Sequence, residues 1–400
     1  MRVPRRPISD LLRQRKSWNM PGTPMAGFGN PLGNPLGNPL GNPLAGAAGF
    51  APFSQAGTTG FSPFQQADTA RPATADEGGA LREVTGFAPD PGALRMFLHV
   101  PAELPPGAPL VVALHGCTQD AAGFNSGCGW STLADRHGFA VLLPEQRSAN
   151  NPKTCFNWFE PGDTTRGQGE AASIRAMIAW AVEHHRLDEG RVFVTGLSAG
   201  GGMTAVMLAT YPEVFAGGAI IGGLPYAAAQ GVGQAFEAMY TGRPRPAEEW
   251  AQLVRTASPH RGPWPRLAVW QGEADHTVRP VNAEEIVKQW LPLHGLSPDT
   301  AERRVEGQDH QQRWRDASGR VVVESHLITG MGHGVPLAPG TGENQSGVAG
   351  PFLLDVGIDA PGQILRFWGL VGAGEAAQPE RAHRLPPVIA VGRDGGAHLD

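Results

Sequence analysis

The segment Gly196-Leu197-Ser198-Ala199-Gly200 constrains the fold of this chain more than any other. A β-branched and aromatic run, Arg191-Val192-Phe193-Val194-Thr195, leads into it, and a run of small, helix-permissive residues from Gly201 to Ala209 leads out. Strand, G-x-S-x-G, helix is the context of a nucleophile elbow, a sharp turn that lifts a serine hydroxyl above the end of a sheet. A bare G-x-S-x-G is common in glycine-rich loops; the flanking strand and helix single this one out. Glycines are expected on both sides of the serine because side chains there would collide with the neighbouring strand and helix, and because so sharp a turn calls for glycine's backbone freedom. The helix start behind Ser198 offers free N–H groups and a positive dipole end to any oxyanion formed nearby.

If Ser198 is a nucleophile of this kind, an acid and then a histidine follow it along the chain. Arg266 to Gly272 reads as a short buried strand, and Asp275 comes just after it, on the loop where a triad acid belongs. Glu273, two residues earlier, is the nearest rival; Asp299 and Asp309 are more distant ones. Val321 to Ile328 reads as a further strand running into Thr329-Gly330-Met331-Gly332-His333-Gly334. His333, flanked by glycines, is the expected base. His276 would point away from its neighbour Asp275, His310 lies in a polar stretch that reads as solvated surface, and His326 lies within a strand and reads as a packing or hydrogen-bonding residue.

The oxyanion needs two backbone donors. One is expected from Ala199, the residue after the nucleophile, and the other from the loop after an earlier strand. Pro109 to Leu114 is an apolar strand ending in His115-Gly116-Cys117-Thr118-Gln119, which assigns the second donor to the Cys117 N–H. His115 reads as a buried histidine that shapes this loop rather than as a catalytic group.

The remaining order suits an α/β sheet. A leading hairpin is expected over Leu81 to Pro101, then strand 109–114, a helical segment near 129–137, strand 139–143, helix 168–186, strand 191–195, helix 200–211 and a strand from Phe215 to Ile221. An insertion over 225–265, with helical stretches near 234–240 and 247–256, is expected to form a small cap over the site. Helix Val281 to His294 follows the acid loop.

Leu114-His115-Gly116-Cys117-Thr118-Gln119, Gly129 to Asp135, Pro144-Glu145-Gln146, Cys155-Phe156-Asn157-Trp158-Phe159, Gly196 to Gly201 and Gly330 to Gly334 together resemble the polyhydroxybutyrate depolymerase family of esterases over roughly Leu81 to Leu370. The resemblance implies an α/β-hydrolase fold, with a mostly parallel sheet flanked by helices, and serine hydrolysis of carboxylic esters. It implies poly(3-hydroxybutyrate) or short hydroxyalkanoate oligomers as substrate, with feruloyl or acetylxylan esters as the alternative. Ser198, Asp275 and His333 fall on the family triad, Cys117 and Ala199 on its oxyanion positions, and Trp158 stands as a candidate substrate contact. The loops carrying Cys117 and Cys155 are then expected to meet near the site. The two thiols are either bridged, which would rigidify the oxyanion loop and point to an oxidising compartment, or reduced and buried; the resemblance favours the bridge. Cys128 would be left over. A serine peptidase of the same fold commonly carries a propeller or large cap that this length does not allow, and a non-catalytic module would be expected to lack a triad member.

The 400 residues are 17% charged with a formal net charge of −5, which gives no reason to expect nucleic acid as a partner. No window approaches the ~18 apolar residues of a membrane span. No His/Cys cluster has zinc spacing, no lysine follows the elbow glycines as in a phosphate loop, and no cofactor is expected. Residues 1–78 read as a flexible leader, with a basic start (Arg2, Arg5, Arg6, Arg13, Arg15, Lys16) and four tandem Gly-Asn-Pro-Leu units over Gly29 to Leu44. A proline in every unit forbids regular helix and removes ladder donors. No apolar h-region follows the arginines, so neither a secretory signal nor a twin-arginine signal is read. Many secreted members of the family carry a signal, which leaves extracellular and cytoplasmic placement as alternatives. The leader is a candidate for weak adsorption to polymer granules. The catalytic domain is expected over 79–370, and residues 371–400 read as a loose tail; no separate polymer-binding domain is read after Leu370.

Overall fold

The computed structural model describes residues 80–342 and 345–371. The leader over 1–78 and the tail beyond Val371 lie outside the described residues. Arg82–Val84 (β1) and Arg95–His99 (β2) form the expected leading hairpin, with Val84 opposite Met96. Strand β2 pairs antiparallel with Ala140–Glu145 (β4). From β4 the sheet continues in parallel through Leu110–Leu114 (β3), Val192–Leu197 (β5), Gly217–Ile221 (β6), Arg266–Gly272 (β7) and Val321–Ile328 (β10). Glu302–Glu306 (β8) and Asp309–Arg315 (β9) close the far edge as an antiparallel hairpin on β10.

Every residue of β3, β4, β5 and β6 is buried, because helices cover both faces of a parallel sheet and leave no solvated side to alternate with. The pleat divides these residues between two cores. Leu110, Val112, Leu114, Val192 and Val194 face one core with Gly169–His185 (α4), Ala199–Thr210 (α5) and Val281–Trp290 (α8). Val111, Ala113, Phe193 and Leu197 face the other with Ala121–Cys128 (α1), Trp130–His137 (α2) and Ala360–Trp368 (α9). Val232–Thr241 (α6) and Ala247–Thr256 (α7) lie between β6 and β7, as expected of the insertion. Pro161–Thr164 (α3) is a single turn ahead of α4.

The expected helical segment near 129–137 is α2; the short helix α1 ahead of it, which ends at Gly129 with φ 74° in the left-handed region, was not expected from the sequence. Two expectations are corrected. The helix from Val281 ends at Trp290, and Pro292 carries the chain on as a 3₁₀ turn over Leu291–His294. The polar stretch around His310 is the β8–β9 hairpin; His310 itself is exposed, but every β8 residue is also exposed, so no hydrophobic alternation marks that strand.

His326 on β10 is buried and stacks on Trp270 of β7, ring centroids 3.7 Å apart and planes within 3°. Its Nδ1 lies 2.9 Å from Asp309 Oδ2 on β9, and its Nε2 lies 3.4 Å from Glu324 Oε1. Burial alone would lower its pKa, but the two carboxylates outweigh burial and raise it. A raised histidine pKa stabilises the fold below the unfolded value and loses that contribution as pH rises through the folded value. The melting temperature should therefore decline as pH climbs above the ordinary histidine range, and His326→Gln should remove that part of the decline while costing about 3 kcal/mol or more at pH 6. Melting curves of both proteins across pH check it; identical slopes would show that the histidine is not charged.

Candidate active site

The carboxyl ends of β3, β5, β6, β7 and β10 share one edge of the sheet, and each carries one part of the site. Ser198 follows β5 directly, with φ 57° and ψ −117°. That region is costly for a residue with a Cβ. The strained residue is therefore the serine, whereas Gly196 and Gly200 are absent from the positive-φ positions. Those glycines are required by close approach instead. A Cβ at Gly196 would stand 2.9 Å from the Leu114 carbonyl oxygen, and one at Gly200 would press on Leu114 and stand 2.5 Å from the His115 carbonyl oxygen. Gly200→Ala is thus expected to destabilise the protein by about 1–3 kcal/mol, as overpacking does. Denaturant midpoints for the two proteins test this, and an unchanged midpoint would mean that β3 yields to the extra methyl.

The Ser198 N–H donates to Ile221 O at 2.9 Å, at the end of β6. The next residue, Gly222, lies against the other two candidates: a Cβ there would be 3.3 Å from His333 Cε1 and Nδ1 and 3.6 Å from Asp275 Oδ2. His333 Nδ1 and Asp275 Oδ2 are 2.7 Å apart. Asp275 is 1% exposed, and its other oxygen accepts the Thr277 and Val278 N–H groups, each at 2.8 Å. Gln271 Nε2 donates to Oδ2 at 3.0 Å. Three N–H donors therefore hold this carboxylate as an acceptor. It accepts a hydrogen bond from His333 Nδ1–H, which leaves Nε2 with the free lone pair. The acid and histidine loops are laced together, Glu273 N–H to Ile328 O and Ala274 N–H to Met331 O, both 2.9 Å.

The rival residues lie elsewhere. Glu273 is exposed and accepts the Gly330 N–H at 3.3 Å, so it braces the histidine loop from outside. Asp299 is exposed in a 3₁₀ turn, Asp309 is engaged with His326, and His276 is exposed beside Arg279.

Cys117 and Ala199, the expected oxyanion donors, follow β3 and open α5. As the first residue of a helix, Ala199 has no intrahelical acceptor for its N–H. Among the described residues neither this N–H nor that of Cys117 is taken by an acceptor. Cys117 and Cys155 form a disulfide, and Cys128 is a buried free thiol. Both ring nitrogens of His115 are engaged, Nδ1 with Gly116 O at 2.8 Å and Nε2 with the Gln146 N–H at 3.1 Å. Burial pushes its pKa down to about 4, so it is a neutral strut with no free lone pair for catalysis. Trp158 is 5% exposed, and its ring occupies the space that a Gly202 side chain would need, behind the start of α5. Helices α6 and α7 bury Ala235, Ala238 and Trp250 in one cluster with Trp158, Ala199 and Val278. Phe352 sits edge-on to His333 at 6.0 Å; no sequence motif marked it. No cluster that could hold a metal occurs among the described residues, and no helix among them is long and apolar enough to cross a membrane.

The sequence profile of the family described as "Esterase PHB depolymerase" matches residues 96–313, a stretch that holds Ser198 and Asp275 and stops short of His333. The chain is 48% identical over 296 residues to the poly(3-hydroxyalkanoate) depolymerase C of Paucimonas lemoignei, covering 73% of this chain and 71% of that protein. It is 33% identical over 264 residues to the feruloyl esterase B of Neurospora crassa, covering 64% of this chain and 89% of that one. A solved acetyl xylan esterase from Aspergillus awamori superposes with a TM-score of 0.63 at 25% identity, over 73% of this chain and all of its own.

Proposed function

The chain belongs to the polyhydroxybutyrate depolymerase family of esterases, and we propose that it cleaves 3-hydroxyalkanoate esters through an acyl-enzyme on Ser198. It is a carboxylic ester hydrolase of the α/β-hydrolase fold. The observation that carries the site assignment is the Asp275–His333 hydrogen bond of 2.7 Å, set beside the β6 end that also holds the Ser198 backbone.

In this reading His333 Nε2 takes the proton from Ser198 Oγ as the oxygen attacks the ester carbonyl. Asp275 holds the ring and stabilises the imidazolium. The Ala199 and Cys117 N–H groups hold the carbonyl oxygen as it becomes an oxyanion. When the tetrahedral adduct collapses, His333 returns its proton to the leaving alcohol. A water then enters, gives a proton to His333 and displaces the acyl group, freeing the hydroxy acid and restoring the Ser198 hydroxyl.

The substrate class rests on the gap between 48% identity to a poly(3-hydroxyalkanoate) depolymerase and 33% to a feruloyl esterase. The Aspergillus awamori likeness keeps acetylxylan esters as the second reading. Initial rates on 3-hydroxybutyrate oligomers, amorphous polymer granules, methyl ferulate and acetylated xylan separate them. The hydroxybutyrate oligomers should be turned over fastest; a preference for methyl ferulate or acetylated xylan would overturn the substrate assignment but not the esterase. A Cys117–Cys155 bridge suits an oxidising compartment, which favours extracellular placement. Granule adsorption through the leader remains part of this proposal.

A further inference from the structure

Glu170, at the start of α4, is 1% exposed and takes no part in the chemistry above. Its Oε1 accepts from Gln146 Nε2 at 2.5 Å, and its Oε2 accepts the Asn157 N–H at 2.9 Å. Burial pushes this carboxyl up to about 8, helped by the Asp163 carboxylate and opposed by those two donors. Both oxygens can accept only when the group is ionised, so the arrangement that holds Gln146 and Asn157 is complete above about pH 8. What it holds leads to the Cys117 N–H by two routes.

The first route runs through Gln146. Its backbone N–H donates to His115 Nε2, and His115 Nδ1–H donates to Gly116 O. The Gly116 carbonyl and the Cys117 N–H belong to one peptide unit, which is planar with the two groups pointing opposite ways. Fixing the Gly116 oxygen therefore fixes the direction of the Cys117 N–H. The Gly116 N–H is held as well, on Gln119 Oε1 at 2.8 Å. The second route runs through the disulfide. Gln146 Nε2 also donates to Cys155 O at 3.1 Å, and Asn157 sits two residues beyond, so Glu170 anchors both flanks of buried Phe156. Cys155 is bonded to Cys117. The orientation of the Gln146 amide is set, since its oxygen accepts from Arg147 N–H at 2.9 Å and Asn150 Nδ2 at 2.8 Å.

We propose that Glu170 is a positioning residue for the oxyanion hole, acting through Gln146 and His115 on the peptide plane that presents the Cys117 N–H. The proposal rests on Cys117 being an oxyanion donor. It acts on the transition state and leaves ground-state binding alone, because the donor is called on only as charge develops on the carbonyl oxygen.

The test is Glu170→Gln in the full chain, assayed on p-nitrophenyl butyrate at about pH 9, where Glu170 is ionised. The new amide must set a donor against either Gln146 Nε2 or the Asn157 N–H, which tilts the loop without emptying the site. The expected result is a kcat lower by about tenfold to a hundredfold, short of the roughly 10²–10³ lost with a whole donor, and a KM within about twofold. Affinity for a trifluoromethyl ketone, which forms the tetrahedral adduct, should fall by the same factor as kcat/KM, while inhibition by butyrate should not change. A residue that only supported the fold would move the folded fraction and leave these ratios alone. His115→Phe fills the same space without the Gly116 contact; it should show the same split and carries the test if Glu170→Gln does not fold. Unchanged kcat and ketone affinity in a folded variant overturn the proposal. No ester turnover by the unaltered enzyme would overturn the esterase reading instead.

Discussion

Ser198→Ala should lower kcat on a soluble ester by about 10⁶-fold while leaving the fold intact, the scale on which removing a triad serine acts. The hydroxyl is the smallest part of the elbow. Its backbone is held independently, by the N–H to Ile221 O and by Ser198 O receiving the Gly202 N–H at 2.8 Å. Alanine tolerates φ 57° no worse than serine does, so the turn should survive. Residual turnover would come from the Cys117 and Ala199 N–H groups and from binding alone. Circular dichroism and a melting curve establish folding, and p-nitrophenyl butyrate gives the rate. Wild-type rates in a folded Ser198→Ala protein would place the nucleophile elsewhere.

Asp275→Asn should cost about 10⁴ in kcat, and the hydrogen bonds explain why a near-isosteric change does so much. The Thr277 and Val278 N–H groups require an oxygen at the Oδ1 position. The amide nitrogen must then take the Oδ2 position, 2.7 Å from His333 Nδ1. A donor there obliges Nδ1 to be the acceptor, so the ring proton moves to Nε2 and His333 loses its basic nitrogen on the serine side. The same amide faces Gln271 Nε2, donor against donor. Glu273→Gln, by contrast, alters an exposed side chain with one 3.3 Å contact, and kcat should stay within about threefold, in line with the small effect of exposed contacts. The two variants assayed together decide the acid; the reverse ranking would move it to Glu273.

Most of the candidate site was legible because it depends on local order. A parallel sheet buries its strands on both faces, so Leu110 to Leu114, Val192 to Thr195 and Leu267 to Gln271 stand out as short apolar runs. The residues just after such runs are forced to the same edge. Ser198, Asp275 and His333 are picked out as candidates in this way, and the buried, doubly hydrogen-bonded His115 is readable from its place after such a run. What was not legible depends on pairing at a distance. Strand β8 is exposed along its whole length and exists because β9 offers it a ladder, so its composition carries no sign of it. Glu170 reads as an acidic residue in a first helical turn; only the approach of the 146–157 loop makes it a buried anchor. Phe352 lies 19 positions after His333 in the sequence, beyond the short strand Val335–Leu337, with no period to announce their contact. The elbow itself shows a subtler difference: its glycines are demanded by their own close approach to each other and to the Leu114 and His115 carbonyls, while the unusual backbone angle belongs to the serine.

The central claim is that a 3-hydroxyalkanoate ester passes through a covalent intermediate on Ser198. Acid-quenching the enzyme during turnover of p-nitrophenyl 3-hydroxybutyrate and mapping its peptides by mass spectrometry tests this most directly. The account predicts a single 3-hydroxybutyryl adduct, on the peptide that holds Ser198, formed in step with the first p-nitrophenol released and absent in Ser198→Ala. An adduct on any other residue, or steady turnover in Ser198→Ala at the wild-type rate, would contradict it.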